Sequence, residues 1–165
     1  MKRRLLLSSG AAVLLSGCGF QLRKAPDFAF DNILVTGDVN SGLANQLRRQ
    51  LAADGRVRVL PSGTDPTKAQ VILDLPVEQR EKVVVGLNAS GQVREFQLRL
   101  RTRFRLRTPQ GRELIPETEL LQQRDISFNE SAVLAKEQEE SLLYRDMQND
   151  IVQQLMRRLA ALKAV

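Results

Sequence analysis

Hydrophobic residues between positions 69 and 127 recur with a period of two. Val71, Leu73, Leu75 and Val77 share one parity, while Gln70, Asp74 and Glu78 occupy the other. After the valines at 83–85, the stretch Leu87-Asn88-Ala89-Ser90-Gly91-Gln92 predicts a hairpin turn. The run that follows, VREFQLRLRTRFRLRT (93–108), alternates almost without a fault. Phe96, Leu98, Leu100, Phe104 and Leu106 fall on one side; Gln97, Arg99, Arg101, Arg103, Arg105 and Arg107 fall on the other. So strict an alternation predicts a strand with one buried face, and a slip of one residue would bury all five arginines. Thr108-Pro109-Gln110-Gly111 predicts a second tight turn. The strand beyond it carries Leu114 and Leu120 on one parity and Glu113, Glu117 and Glu119 on the other.

A different period marks the helices. Leu43, Leu47 and Leu51 recur every four residues, the stripe of a short amphipathic helix. Asn40 or Ser41 is its predicted cap, and Asp54-Gly55 its end. Strands are expected on either side, over 30–36 and 56–60. A long helix opens at 129–131 and runs to about Leu162, striped by Leu143, Met147, Ile151, Leu155 and Leu159. Its other face is polar: Glu139, Asp146, Asn149, Asp150 and Arg157. This order predicts an α+β fold: a two-layer sandwich of a mostly antiparallel or mixed four- to five-stranded sheet, with two helices packed on one face.

The N-terminus follows other rules. Lys2, Arg3 and Arg4 precede an apolar run from Leu5 to Leu15, too short for the roughly 20 residues of a membrane span. Basic head, short apolar middle and small residues before a cut describe a secretory signal peptide. The cut site Leu15-Ser16-Gly17-Cys18 resembles a bacterial lipobox, in which the Cys18 thiol takes a diacylglycerol and the freed amine a further acyl chain. Three chains anchor a protein far more firmly than one, at roughly 0.8 kcal/mol per buried CH2. Export of an unmodified cysteine is the plainer alternative. The expected organisation is signal peptide 1–17, lipidated tether 18–29 and a single α+β domain over 30–165. Gly19, where an aspartate would favour the inner membrane of a bacterial lipoprotein, points to the outer membrane, with the domain on its periplasmic face.

Composition narrows the chemistry. The chain has no histidine and one cysteine, so the usual acid/base of neutral pH is missing. Acylation of Cys18 removes the only thiol nucleophile or soft metal ligand. No enzyme, cofactor or metal site is expected. The formal charge of +6 falls to +3 once Lys2, Arg3 and Arg4 are removed, and an envelope location leaves no nucleic-acid partner.

Arg99, Arg101, Arg103, Arg105 and Arg107 form a ladder about 27 Å long, and two explanations compete for it. The guanidinium forks could take phosphates or a partner's polar surface. Alternatively, Glu113, Glu117 and Glu119 on one neighbouring strand, with Asp74 and Glu78 on the other, could neutralise it in cross-strand pairs. Arg80 and Lys82 would add to the basic side.

Several segments together resemble one family, the outer-membrane lipopolysaccharide-assembly lipoproteins, LptE. They are Cys18-Gly19-Phe20-Gln21-Leu22-Arg23, the hairpin from Ser90 to Leu98, Leu134-Ala135-Lys136-Glu137, Tyr144-Arg145-Asp146-Met147, and the run from Gln153 to Leu159. The resemblance implies a non-enzymatic partner that plugs a large outer-membrane β-barrel, assists its assembly and binds lipopolysaccharide. It implies a lipopolysaccharide contact at Lys136. The family also has a basic residue at the hairpin tip, whereas Leu87-Asn88-Ala89-Ser90-Gly91 has none; Arg94 and Lys82 are the nearest cations. An adaptor of another lipid-transport or barrel-assembly system, or a free-standing periplasmic binding module, would share the anchor but not these motifs.

Overall fold

The computed structural model describes residues 27–53 and 55–165; Cys18 and most of the expected tether lie outside them. Six strands form one mixed sheet: β1 (Asn32–Thr36), β2 (Arg58–Val59), β3 (Val71–Asp74), β4 (Gln79–Leu87), β5 (Val93–Arg107) and β6 (Glu113–Ser127). Two α-helices, α1 (Gly42–Ala52) and α2 (Val133–Ala160), pack on one of its faces. The expected α+β sandwich is the observed one, with short pieces raising the strand number to six.

Strand β5 is the spine. Along one side it pairs antiparallel with β6 over nearly its whole length. Along the other side it meets β3 at its C-terminal end and β4 at its N-terminal end. Strand β1 then joins β3 in parallel, and β2 joins β1 in parallel. The helix-facing side of the sheet supplies Ile33, Val35, Val71, Leu73, Leu98, Leu100, Phe104 and Leu106 to one core. Leu43, Leu47 and Leu51 of α1, with Met147, Ile151, Leu155 and Leu159 of α2, close it from above. Each fully buried leucine contributes about 1.5–3 kcal/mol. On the opposite side Leu34 and Ile72 pack with Ala69 and Leu60, so β1 and β3 are covered on both faces.

The period-two reading of residues 69–85 as one strand meets an interruption. Asp74 pairs with Arg105 and Gln79 with Arg101, so five steps on the β3–β4 side oppose four on β5. One residue is inserted, and the faces exchange. Odd positions face the helices in β3; even positions, Arg80 and Lys82 among them, do so in β4. Three expectations are corrected as a result, the first being that Arg80 and Lys82 would add to the basic side of the ladder. Val77, predicted to lie with Leu75, is 53% exposed. Glu78, predicted to lie beside the arginines, turns toward the helices, where its side chain is only 7% exposed. There it accepts hydrogen bonds from Ser41 Oγ (2.8 Å) and Gln148 Nε2 (2.9 Å).

Ser41 is also the cap of α1, accepting from the Ala44 N–H at 3.1 Å. Of the two residues predicted for that role, Asn40 is therefore not the one used. Glu78 thus ties the β3–β4 break to the start of α1 and the middle of α2. The break is braced from β1 as well: the Leu75 N–H donates to the Thr36 carbonyl (3.1 Å), and Gly37 lies at φ +125°. A Cβ at Gly37 would stand 1.9 Å from the Leu75 carbonyl oxygen. Among the described residues no helix is long and apolar enough to cross a membrane.

Gly37→Ala is expected to cost about 2–4 kcal/mol, from the left-handed backbone and the carbonyl clash together. Urea denaturation measures it, and a loss below about 1 kcal/mol would contradict the close approach.

Candidate functional site

The arginine ladder is neutralised from both flanks. Arg101 lies 3.4 Å from Glu119 and 4.0 Å from Glu81; Arg103 lies 3.6 Å from Glu119 and 3.8 Å from Glu117. Arg105 reaches Asp74 at 2.9 Å and Glu113 at 3.7 Å, and Arg107 reaches Asp74 at 2.9 Å. Arg99 donates from Nε to Gln97 Oε1 at 2.8 Å and has no carboxylate partner among the described residues. Five carboxylates serve four of the five guanidiniums, as the pairing explanation expects, except that Glu81 stands where Glu78 was expected and Arg99 pairs with Gln97 instead. The inserted residue makes that exchange.

Asp74 is the hub of the ladder. Its carboxylate accepts from Thr36 Oγ1 on β1 and from Arg105 and Arg107 on β5, joining three strands. Burial pushes its pKa up, but hydrogen bonds from Arg107, Thr36 and Arg105 and the charge of Arg107 outweigh it and hold the carboxyl below its ordinary value.

The other face of the sheet holds the remaining cations. Because β4 is an edge strand, its helix-facing side chains border α2 across an open cleft. From α2 a polar stripe one turn apart faces it: Lys136, Glu140, Tyr144 and Gln148. Lys82 Nζ lies 2.6 Å from Glu140 Oε2 and 4.5 Å above the Phe96 ring. Tyr144 donates its hydroxyl to the Glu81 carbonyl (2.8 Å), and Arg80 lies over the Tyr144 ring at 5.2 Å. The Tyr144 pKa is raised, first by burial and then by Glu140, with Arg80 opposing. Lys136 Nζ bonds Glu139 (2.8 Å) and Ser127 Oγ (3.0 Å).

Two adjoining cavities result. The smaller, about 150 Å³, is floored by Phe96, Ile126, Phe128 and Val133 and rimmed by Lys82 and Lys136 together with Glu137 and Glu140. Phe96 and Phe128 meet edge to face at 5.4 Å between centroids. The larger, about 600 Å³, is lined by Arg80, Lys82, Glu137, Glu140, Ser141 and Tyr144. Of the predicted cations, Lys82 and Lys136, distant in sequence, share one apolar cavity. Arg94 does not line it. It lies on the same strand face as Phe96, about 7 Å nearer the tip, is exposed, and accepts the Phe128 N–H at its carbonyl (2.7 Å). Sequence reasoning passed over Arg80, Glu140 and Tyr144 as site residues. The signal for Glu140 and Tyr144 was the four-residue polar spacing on α2, which an outward-facing helix would show equally; Arg80, on β4, had none beyond its charge.

The profile of the LptE family, described as lipopolysaccharide-assembly, matches residues 26–159. Among solved structures, lipoprotein B of Nitrosomonas europaea is 32% identical over 87% of this chain and 91% of its own, with a TM-score of 0.72. Rare lipoprotein B of Shewanella oneidensis (20% identity, TM-score 0.66) covers 79% of this chain and 94% of its own. A minor lipoprotein of Acinetobacter baumannii (17% identity, TM-score 0.62) covers 82% and 94%. The latter two share the fold.

Because the folded Asp74 pKa lies below its unfolded value, its contribution to stability is complete above about pH 4 and is lost as pH falls through the folded value. Asp74→Asn is therefore expected to lower stability at pH 7 and to flatten its decline below pH 4. Parallel acid titrations of the two proteins would refute the hub.

Proposed function

The chain belongs to the LptE lipopolysaccharide-assembly family, and on that premise we propose that it is a non-catalytic outer-membrane lipoprotein. It plugs and helps assemble a large β-barrel and binds lipopolysaccharide at the edge of its own sheet. The observation that carries the binding reading is the cavity where Lys82 and Lys136 rim a floor of Phe96, Ile126, Phe128 and Val133. Lipopolysaccharide has phosphates beside acyl chains, and this cavity offers ammonium groups beside an apolar floor. Arg94, nearer the hairpin tip, extends the basic rim. These cations compete for the phosphates that divalent ions otherwise bridge between lipid molecules, which releases single molecules to the barrel.

The anchor and the cavity would act at opposite ends. The described chain enters beside Gln70, Thr108 and Pro109, where Ala29 lies, and Phe96 lies twelve residues back along β5. That distance is about 40 Å. A lipid-modified Cys18 would therefore hold one end at the outer membrane while the hairpin end stands free to enter the barrel. The ladder face supports that placement. Arg99, Arg101, Arg103, Arg105 and Arg107, with the carboxylates facing them, give a wide polar surface whose charges largely balance, suited to a barrel's hydrated lumen.

Lys136→Glu combined with Arg94→Glu is expected to weaken lipopolysaccharide affinity by about tenfold or more at moderate salt; unchanged binding would place the site elsewhere. Purification of the full chain from detergent-solubilised outer membranes is expected to recover one large β-barrel protein in stoichiometric amount. Mass spectrometry is expected to find an acylated Cys18 at the processed terminus. Recovery of inner-membrane transport components instead of a barrel would favour an adaptor.

A further inference from the structure

We propose that Glu140 is a resident competitor for the lipid's phosphate in the cleft between β4 and α2, holding Lys82 until a phosphate displaces it. The inference rests on the lipid-binding reading above and assigns a new role within it, together with a second cation, Arg80.

The geometry is that of an occupied site. Glu140 Oε2 lies 2.6 Å from Lys82 Nζ, and both side chains line the large cleft and the small cavity. The cleft thus already holds an anion, supplied by its own wall. Arg80 lies two residues from Lys82 on the same strand face, about 7 Å away along the backbone. One phosphate with charge-assisted bonds of about 2.8 Å on either side can span that gap. Arg80 is free to turn toward it: its contacts are the Tyr144 ring and a long 3.8 Å approach to Glu78. Ser141 lines the same cleft and adds a hydroxyl.

Any anion that takes Lys82 must displace Glu140. A phosphodiester carries a single negative charge and a phosphate monoester about −1.5 to −2 at pH 7. Either leaves the part-buried Glu140 carboxylate unpaired beside a new anion, and the more highly charged ligand is repelled the more. The monoester's third terminal oxygen can reach Arg80 or Ser141, which offsets that repulsion. Acyl carbons then lie toward Phe96 and Phe128, across the shared wall at Lys82. While the cleft is empty, the carboxylate keeps Lys82 paired above the Phe96 ring.

The chain has one tyrosine and no tryptophan, so tyrosine emission reports from Tyr144 in the cleft wall. The full chain is titrated with short-chain phosphatidic acid, a phosphomonoester, and with phosphatidylglycerol of the same chain length, a phosphodiester. In Glu140→Gln both lipids are expected to gain about fivefold or more in affinity. In a Lys82→Met background, Glu140→Gln is expected to change neither affinity. Glu137→Gln removes a charge from the same cleft without freeing Lys82 and is expected to give a gain below about twofold. No gain in Glu140→Gln, or a gain that survives Lys82→Met, overturns the competitor while leaving lipid binding in place. Failure of both lipids to bind any variant, with lipopolysaccharide binding also absent, overturns the reading on which it rests.

Discussion

One residue inserted between Asp74 and Gln79, opposite the shorter span from Arg101 to Arg105, determines which parity of the strand faces the helices. Everything distinctive about the two faces depends on it. Before the insertion Asp74 points to the ladder and Leu73 to the core. After it Glu81 points to the ladder, and Arg80 and Lys82 point to α2. An uninterrupted strand would turn Lys82 toward the arginines and away from Phe96 and Glu140. The break is held from three sides: by the close approach of Gly37 to Leu75, by Asp74 bonding across three strands, and by Glu78 against Ser41 and Gln148.

The two faces then treat the same kind of charge differently. On the ladder face the arginines are matched by Asp74, Glu81, Glu113, Glu117 and Glu119, most of them part-exposed. Pairs of that kind contribute little singly, and their chief effect is to balance most of the charge on a long polar surface. On the helix side Arg80 and Lys82 are each set over an aromatic ring, and Lys136 stands at the rim of a small cavity. A charge there meets less water, so its partner matters more. That side is the one for which ligand binding is proposed.

Edge position explains why the cleft is open. Helix α2 packs over β5 and β6 through its apolar stripe, and β4 has no neighbour beyond it. Along that margin Glu140 and Tyr144 meet β4 at Lys82 and Glu81, Gln148 meets Glu78 just before it, and Arg80 lies over the Tyr144 ring. Apolar packing fixes the helix, and the polar row beside it stays accessible to exchange partners.

Local chemistry determined much of this from the sequence. The period of two in β5 fixed its buried face, because a slip would desolvate five guanidiniums. Asn88 and Gly91, with Thr108 and Gly111, marked both hairpins. The leucine stripe placed α1, and the run from Leu143 to Leu159 placed α2. The family motifs pointed to Lys136. Tertiary structure alone decided the rest. An inserted residue is defined only by the strand opposite, so 69–85 read as one continuous alternation, and Glu78 and Val77 fell on the wrong sides. That Lys82 meets Glu140 and shares a cavity with Lys136 depends on how an edge strand lies against a helix more than fifty residues away. No periodicity within either segment encodes that meeting, because each pattern records which side of an element is buried, not what it is buried against.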